Sequence, residues 1–306
     1  AGLNFDVAIF TNLSRDHLDY HGDMAAYGQA KRQLFEMPSL RTAIVNIDDE
    51  FGAELAVSLK QDGLSLLTYS CENCQADLFV SDICYQARGV EATLVSPWGK
   101  GRIDSALLGT YNLSNLLAVI AAVCSEGKDL EAVLKAVPSL EAIEGRMQNV
   151  DASADIQVVV DYAHTPDALE QTLKALRIHG AGKLWSVFGC GGDRDPGKRG
   201  LMAEVSERFA DHSVVTSDNP RSESPEVIVA DIVKGLSAKA SFDVEVDRAA
   251  AIAHAVVAAA PGDTVLIAGK GHEDYQVLSD KTIDFSDIAE AKTCLKQRAD
   301  KRGAQS

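Results

Sequence analysis

Short apolar runs rich in β-branched residues alternate along this chain with longer stretches whose apolar positions recur every three or four residues. The first pattern predicts buried strands and the second predicts helices packed on them. In the first half, Phe5–Phe10 and Thr42–Asn46 read as strands around an amphipathic stretch over Ala25–Glu36. Leu78–Tyr85 and Glu91–Ser96 alternate like a hairpin joined through Arg88-Gly89, and helical patterns follow over Leu113–Ser125 and Leu130–Ala136, ahead of Pro138. The pattern resets around Glu141–Asn149, which predicts two domains, 1–145 and 146–306. In the second, apolar runs at Ile156–Val160, Leu184–Phe188, Ser213–Thr216, Phe242–Val246 and Thr264–Ala268 are separated by helical patterns such as Asp167–Leu176 and Pro225–Leu236. Such alternation predicts an α/β fold with mainly parallel sheets, doubly wound in the second half.

Four of these five runs end in a polar or glycine-rich loop: Asp161–Pro166, Gly189–Arg199, Ser217–Ser224 and Gly269–Glu273. Open parallel sheets bind ligands outside the carboxyl ends of their strands, so one composite site explains all four loops. In the first half, Val7–Phe10 runs into Thr11-Asn12-Leu13-Ser14-Arg15-Asp16-His17-Leu18-Asp19-Tyr20-His21-Gly22. A hydroxyl, an amide, imidazoles, carboxylates and a guanidinium crowded behind a buried strand read as a loop that does chemistry.

Composition narrows the partners. A net charge of -16 without a basic stripe argues against a nucleic-acid or anionic-membrane surface, while locally concentrated arginines leave room for an anionic ligand. The six cysteines are scattered, as suits a reducing cytosol. Cys71-Glu72-Asn73-Cys74 has the spacing of a zinc half-site, but no second Cys/His pair answers it, so the pairing reads as incidental. No apolar run approaches the roughly 20 residues of a membrane helix.

The loops differ in what they offer. Gly192-Asp193-Arg194-Asp195-Pro196-Gly197-Lys198-Arg199 has the glycine and lysine spacing of a Walker A loop. Arg199 stands where a Mg²⁺-binding hydroxyl belongs, and Pro196 removes a backbone N–H from the cradle. An arginine-rich loop that grips a carboxylate fits better. Asp218-Asn219-Pro220-Arg221 suits a zwitterion, carboxylate on Arg221 and ammonium on Asp218, and equally suits a turn and helix cap ahead of Pro225. In Gly269-Lys270-Gly271-His272-Glu273 two glycines allow close backbone approach and Glu273 adds a second ammonium acceptor. Asp161, at a strand end, is placed for a ribose hydroxyl, with His164 able to stack or bond beside it; a turn capped near Thr165 is the alternative. Asn112 and Asn115 share one helical face and suit an adenine edge, whereas an N-cap accounts for Asn112 alone.

In order and combination, Thr11–Gly22, Gly189–Lys198, Asp218–Arg221 and Gly269–Glu273 resemble the Mur ligases of peptidoglycan synthesis, nearest the members that add meso-diaminopimelate. The resemblance spans essentially the whole chain. It implies the rear part of a central ATPase-type α/β domain followed by a Rossmann-like C-terminal domain. It also implies an ADP-forming amide ligation to UDP-N-acetylmuramoyl-dipeptide through an acyl-phosphate, in a cytoplasmic monomer. His17 is implied as a Mg²⁺ ligand together with a carbamylated Lys31. Asn12, Asn112, Asn115, Arg146, Asp161 and His164 are implied for ATP. Arg194, Asp218, Asn219, Arg221, Gly269 and Glu273 are implied for the incoming amino acid, with Arg221 excluding L-lysine.

The family's phosphate loop, glutamate metal ligand and uridine-binding domain lie ahead of the Thr11 block, and ten residues precede it here. The expectation is that this chain does not turn over alone. The rival readings are an L-lysine-adding or folylpolyglutamate synthetase-like ligase, and an amino-acid-binding module without catalysis.

Overall fold

A computed structural model describes residues 4–14, 23–61, 64–151 and 153–303. Contacts divide the chain into two compact units: 1–85, 90–106 and 110–140 form the first, while 86–89, 107–109 and 141–306 form the second.

Among the described residues the first unit holds strands β1 (Val7–Phe10), β2 (Thr42–Asn46), β3 (Ser65–Ser70), β4 (Leu78–Gln86), β5 (Gly89–Ser96) and β6 (Gly99–Ser105) in one sheet, in sequence order. β1 to β4 pair parallel and β5 pairs antiparallel with β6. Its helices are α1 (Met24–Arg32), α2 (Glu50–Gln61), α3 (Thr110–Ser125) and α4 (Leu130–Ala136). Side chains alternate across a strand, so β2 feeds two cores. Ala43 and Val45 pack with Leu55 and Leu59 of α2, and Ile44 packs with Leu113 and Leu117 of α3. β3 and β6 carry weaker signals than their neighbours. β6 is the polar edge Gly-Lys-Gly-Arg-Ile-Asp-Ser, held by seven paired positions on β5 rather than by its own pattern.

The second unit holds β7 (Gln148–Asn149), α5 (Pro166–Arg177), α6 (Gly197–Phe209), α7 (Pro225–Val233), α8 (Arg248–Ala258) and α9 (Asp287–Gly303). Its other strands are β8 (Gln157–Asp161), β9 (Leu184–Phe188), β10 (His212–Val215), β11 (Phe242–Val244) and β12 (Thr264–Ala268), with a separate ribbon of β13 (Tyr275–Val277) and β14 (Thr282–Asp284). The sheet order is β11-β10-β9-β12-β8-β7, parallel except for β7. Val159, Phe188 and Leu266 face α5, α6 and α7; Val158, Val187 and Ile267 face α8 and α9. Because β12 enters between β8 and β9, the chain reverses its direction of winding there. The loops after β8, β9, β10 and β12 all leave from the carboxyl edge at this reversal, where an open α/β sheet binds its ligand.

His179, behind α5, fastens the two outlying pieces of this unit. Its Nδ1 lies 2.7 Å from the Gln86 carbonyl, and its Nε2 accepts the Gly109 N–H at 2.7 Å. Only the neutral ring protonated on Nδ1 satisfies both bonds. Burial holds this imidazole below its ordinary titration range.

Candidate functional site

The four loops converge on a cleft of about 420 Å³ whose lining includes His164, Arg194, Asp218, Arg221, Gly269 and Glu273. Its walls carry opposite charge. On the acidic side, the Asp218 side chain is 9% exposed and Glu273 is 19% exposed, so both carboxylates are largely withdrawn from water. Gly269 makes this possible: at φ 122° it occupies backbone space disfavoured to other residues, and a Cβ there would stand 2.6 Å from Asp218 Oδ2. No hydrogen-bond donor among the described residues reaches the Asp218 carboxylate; its nearest cation is Lys270 Nζ, 3.7 Å from Oδ1.

On the basic side, the half-buried Arg221 guanidinium is held by the Gly192 carbonyl at 2.8 Å and the Asn219 carbonyl at 3.3 Å, both through Nη1. Gly191 leaves the room, since a Cβ there would meet that Nη1 at 2.7 Å. Arg221 itself sits at φ 53°, a strained conformation for an arginine. The Arg221 N–H is bonded to the Val277 carbonyl at 3.0 Å. Arg194 is exposed at the rim, its Nη1 3.3 Å from the Asp193 carbonyl.

The loop after β9 is no phosphate cradle. The N–H groups of Gly192, Asp193 and Gly197 are already bonded, to the Asn219 carbonyl and the Glu223 and Asp195 carboxylates. Arg199 does grip carboxylates, but they belong to the chain: Glu223 at 2.9 and 2.8 Å and Asp231 at 3.0 Å. The buried guanidinium thereby ties the loop after β9 to the segment that carries Arg221.

Several expected contacts change role. Asp161 turns Oδ2 to the Met147 N–H (2.7 Å) and Oδ1 to the Ala163 N–H and Thr172 hydroxyl (2.9 and 3.2 Å). Burial raises its carboxyl above the usual range against those three bonds. It is an internal brace for the strand end rather than a free ribose acceptor. Asn219 likewise spends its amide inside the wall. Oδ1 accepts from Lys270 Nζ (3.0 Å) and the Val277 N–H (2.9 Å), and Nδ2 donates to Glu273 Oε2 (2.9 Å). Thr165 caps α5 through its hydroxyl, as the alternative reading had it. His164 lines the cleft with Nδ1 on the Tyr162 carbonyl at 2.9 Å. Arg146 lies over the Tyr162 ring, 4.7 Å from its centroid.

Asn12, Lys31, Asn112 and Asn115 belong to the first unit. α3 begins at Thr110, so Asn112 is inside its first turn and is no N-cap; Asn115 lies one turn further on and is exposed. Lys31 Nζ donates to the Asn12 carbonyl at 3.2 Å and lies 5.0 Å from the Tyr27 ring centroid. His17 lies outside the described residues. Among the described residues no group of three or more His, Cys, Asp or Glu could hold a metal ion, and Lys31 is engaged as a donor. The expected Mg²⁺ centre includes His17, which is not among the described residues, so no step is assigned to a metal. Cys71 and Cys74 make no zinc half-site either: Cys71 is buried, its thiol pushed up to about 12 by that burial, and Cys74 is exposed.

Two buried cations escape the sequence reading. Lys270 is fully buried behind the acidic wall. Arg248 at the start of α8 forms a bidentate pair with Asp287 at 2.7 Å for both bonds and donates to the Ser217 and Ala268 carbonyls at 3.1 and 3.0 Å. It staples the carboxyl ends of β10 and β12 beneath the cleft. A lysine between two glycines behind the most apolar strand was the signal for Lys270; nothing near Arg248 marks it.

Family models agree with this layout. A Mur ligase middle domain matches residues 1–123, and a Mur ligase glutamate ligase domain matches 145–271. A UDP-N-acetylmuramoyl-L-alanyl-D-glutamate–2,6-diaminopimelate ligase of Pseudomonas aeruginosa is 50% identical over 295 residues, covering 96% of this chain and 60% of the relative. A solved structure of a ligase with that name has a TM-score of 0.75 at 41% identity, covering 97% of this chain and 61% of the other. The fold is shared with the MurF ligase of Thermotoga maritima in complex with ADP, at a TM-score of 0.68 and 17% identity, covering 98% of this chain and 63% of the other. This chain thus spans about three fifths of the length of the diaminopimelate ligases it matches. Matched in order through both units, the chain belongs to the Mur ligase family.

Proposed function

We propose that this chain carries the amino-acid-adding chemistry of a diaminopimelate-type Mur ligase. The reaction is ATP-dependent formation of an amide between meso-diaminopimelate and UDP-N-acetylmuramoyl-L-Ala-D-Glu through an acyl-phosphate, in the cytoplasm. The observation that carries it is the Asp218 carboxylate, nine-tenths buried, without a hydrogen-bond donor among the described residues, and opening on a cleft with Arg221 in its lining. Desolvating a carboxylate that no hydrogen-bond donor reaches is unfavourable, so such a group is kept for a charged ligand.

meso-Diaminopimelate is a double α-amino acid. One end suits the two-signed cleft, its carboxylate on Arg221, with Arg194 at the rim, and its ammonium between Asp218 and Glu273. The other end is then left outside this grip, and its amine is the nucleophile toward the acyl-phosphate. With its α-amine left as the nucleophile, L-lysine presents to the cleft a side-chain end that has no carboxylate for Arg221. The names of the Pseudomonas relative and of the solved ligase support diaminopimelate as the substrate. The ADP complex of the Thermotoga ligase supports a nucleotide, for which His164 and Arg146 are the second unit's candidates. An intact-mass measurement on the Lys31 peptide decides whether that residue is carbamylated.

Calorimetric titration tests the amino-acid reading. The expected result is saturable binding of meso-diaminopimelate and at least roughly tenfold weaker binding of L-lysine, a difference of about 1.4 kcal/mol. Equal or reversed preference overturns the assignment of Arg221, and binding of neither overturns the site.

A further inference from the structure

Lys270 stands behind the cleft rather than in its lining. Its side chain has no exposure, yet it carries an ammonium group whose burial is unfavourable unless fully compensated. The compensation is a tripod of two hydrogen bonds, to Asn219 Oδ1 at 3.0 Å and Glu273 Oε2 at 3.3 Å, and one ion-pair contact, to Asp218 Oδ1 at 3.7 Å. The Tyr275 ring closes the remaining side, its centroid 5.6 Å from Nζ.

The tripod decides which atoms are left for a ligand. Asn219 Oδ1 is taken by Lys270 and the Val277 N–H, so the amide can only turn Nδ2 toward Glu273. Glu273 Oε2 then receives both Nδ2 and Nζ, and Oε1 has no partner among the described residues. Asp218 turns Oδ1 toward Nζ and keeps Oδ2 over Gly269. Two carboxylates drawn this close repel each other, and the one buried cation between them offsets that repulsion.

We propose that Lys270 is a positioning residue: by countercharge it fixes Asp218 and Glu273 as the paired ammonium acceptors of the cleft, without itself touching the amino acid. This rests on the amino-acid reading above. The test uses K270M, which keeps the length of the side chain and removes the charge, and K270A, which leaves a cavity. Calorimetry is expected to show meso-diaminopimelate binding at least roughly tenfold weaker in K270M. K270A, equally weakened, is expected to recover with added propylammonium and not with propanol, which fills the same space without charge. K270M binding within about twofold of the unsubstituted chain, or rescue of K270A by propanol as well, overturns the proposal. Where K270M does not fold, the K270A rescue decides alone. A ligand-free readout separates the two claims. Hydrogen exchange of the Asn219 side-chain amide is expected to quicken at least roughly tenfold when the charge is removed. Unchanged exchange refutes the role of Lys270, whereas absent binding by the unsubstituted chain refutes the amino-acid reading.

Discussion

Gly269 shows how much one backbone position contributes to the cleft. A side chain there meets both a strained φ of 122° and the Asp218 carboxylate 2.6 Å away. Gly269→Ala therefore displaces the acceptor as well as straining the turn. Expected are a loss of about 1–3 kcal/mol in stability by urea unfolding and at least roughly tenfold weaker meso-diaminopimelate binding by calorimetry. Unchanged binding would show that Asp218 is not an acceptor. The same loop explains why Lys270 is hard to find in the string Gly269-Lys270-Gly271-His272-Glu273. A lysine ordinarily reads as a solvated charge, and only the positive φ of both flanking glycines folds it under the wall. Arg199 and Asp161 mislead in the other direction. Their types and places suit a ligand, but each is engaged by chain donors or acceptors that are remote in sequence or reached through a turn.

Among the elements, those with concentrated apolar signal were readable in advance. β9 and β12 coincide with the predicted runs Leu184–Phe188 and Thr264–Ala268, and α5 extends the predicted helix by one residue at each end. α6 was hidden by Gly197 and Gly200. The glycine that the packing requires is Gly235, where a Cβ would stand 2.4 Å from the Gly200 carbonyl, whereas a Cβ on Gly200 would meet only the Gly235 Cα at 3.8 Å. The pieces 86–89 and 107–109 go with the second unit through contacts such as His179 with Gln86 and Gly109, which no local pattern announces. That fastening makes stability depend on pH. Burial depresses the folded pKa of His179, so the unfolded chain takes the proton first as pH falls. Its contribution is complete above the unfolded value of about 6.5 and is lost as pH falls through the folded value. Urea midpoints measured between about pH 7 and pH 5 should fall, and the fall should be smaller in His179→Gln, which cannot take up a proton. Equal slopes in both proteins would show that His179 is not the titrating group.

Across the molecule, an acidic chain still gathers cations in one place because charge is sorted locally. A chain of net charge -16 collects Arg194, Lys198 and Arg221 in the lining of one cleft and sets Asp218 and Glu273 there with them. Sequence order brought those residue types to the strand ends, and the parallel sheet of the second unit gathers them. What the order of residues did not show is the layer behind, where Lys270, Arg248 and Arg199 hold the visible groups at their angles. Such partners are chosen by three-dimensional proximity and leave no spacing to read. The proposed receptor has two signs and reads one zwitterionic end of its substrate. A crystal structure of the chain with meso-diaminopimelate examines that receptor atom by atom. One carboxylate is expected within hydrogen-bonding distance of the Arg221 guanidinium, with the ammonium of the same end between Asp218 and Glu273. A ligand seated elsewhere, or in the cleft with no carboxylate on Arg221, would contradict that reading.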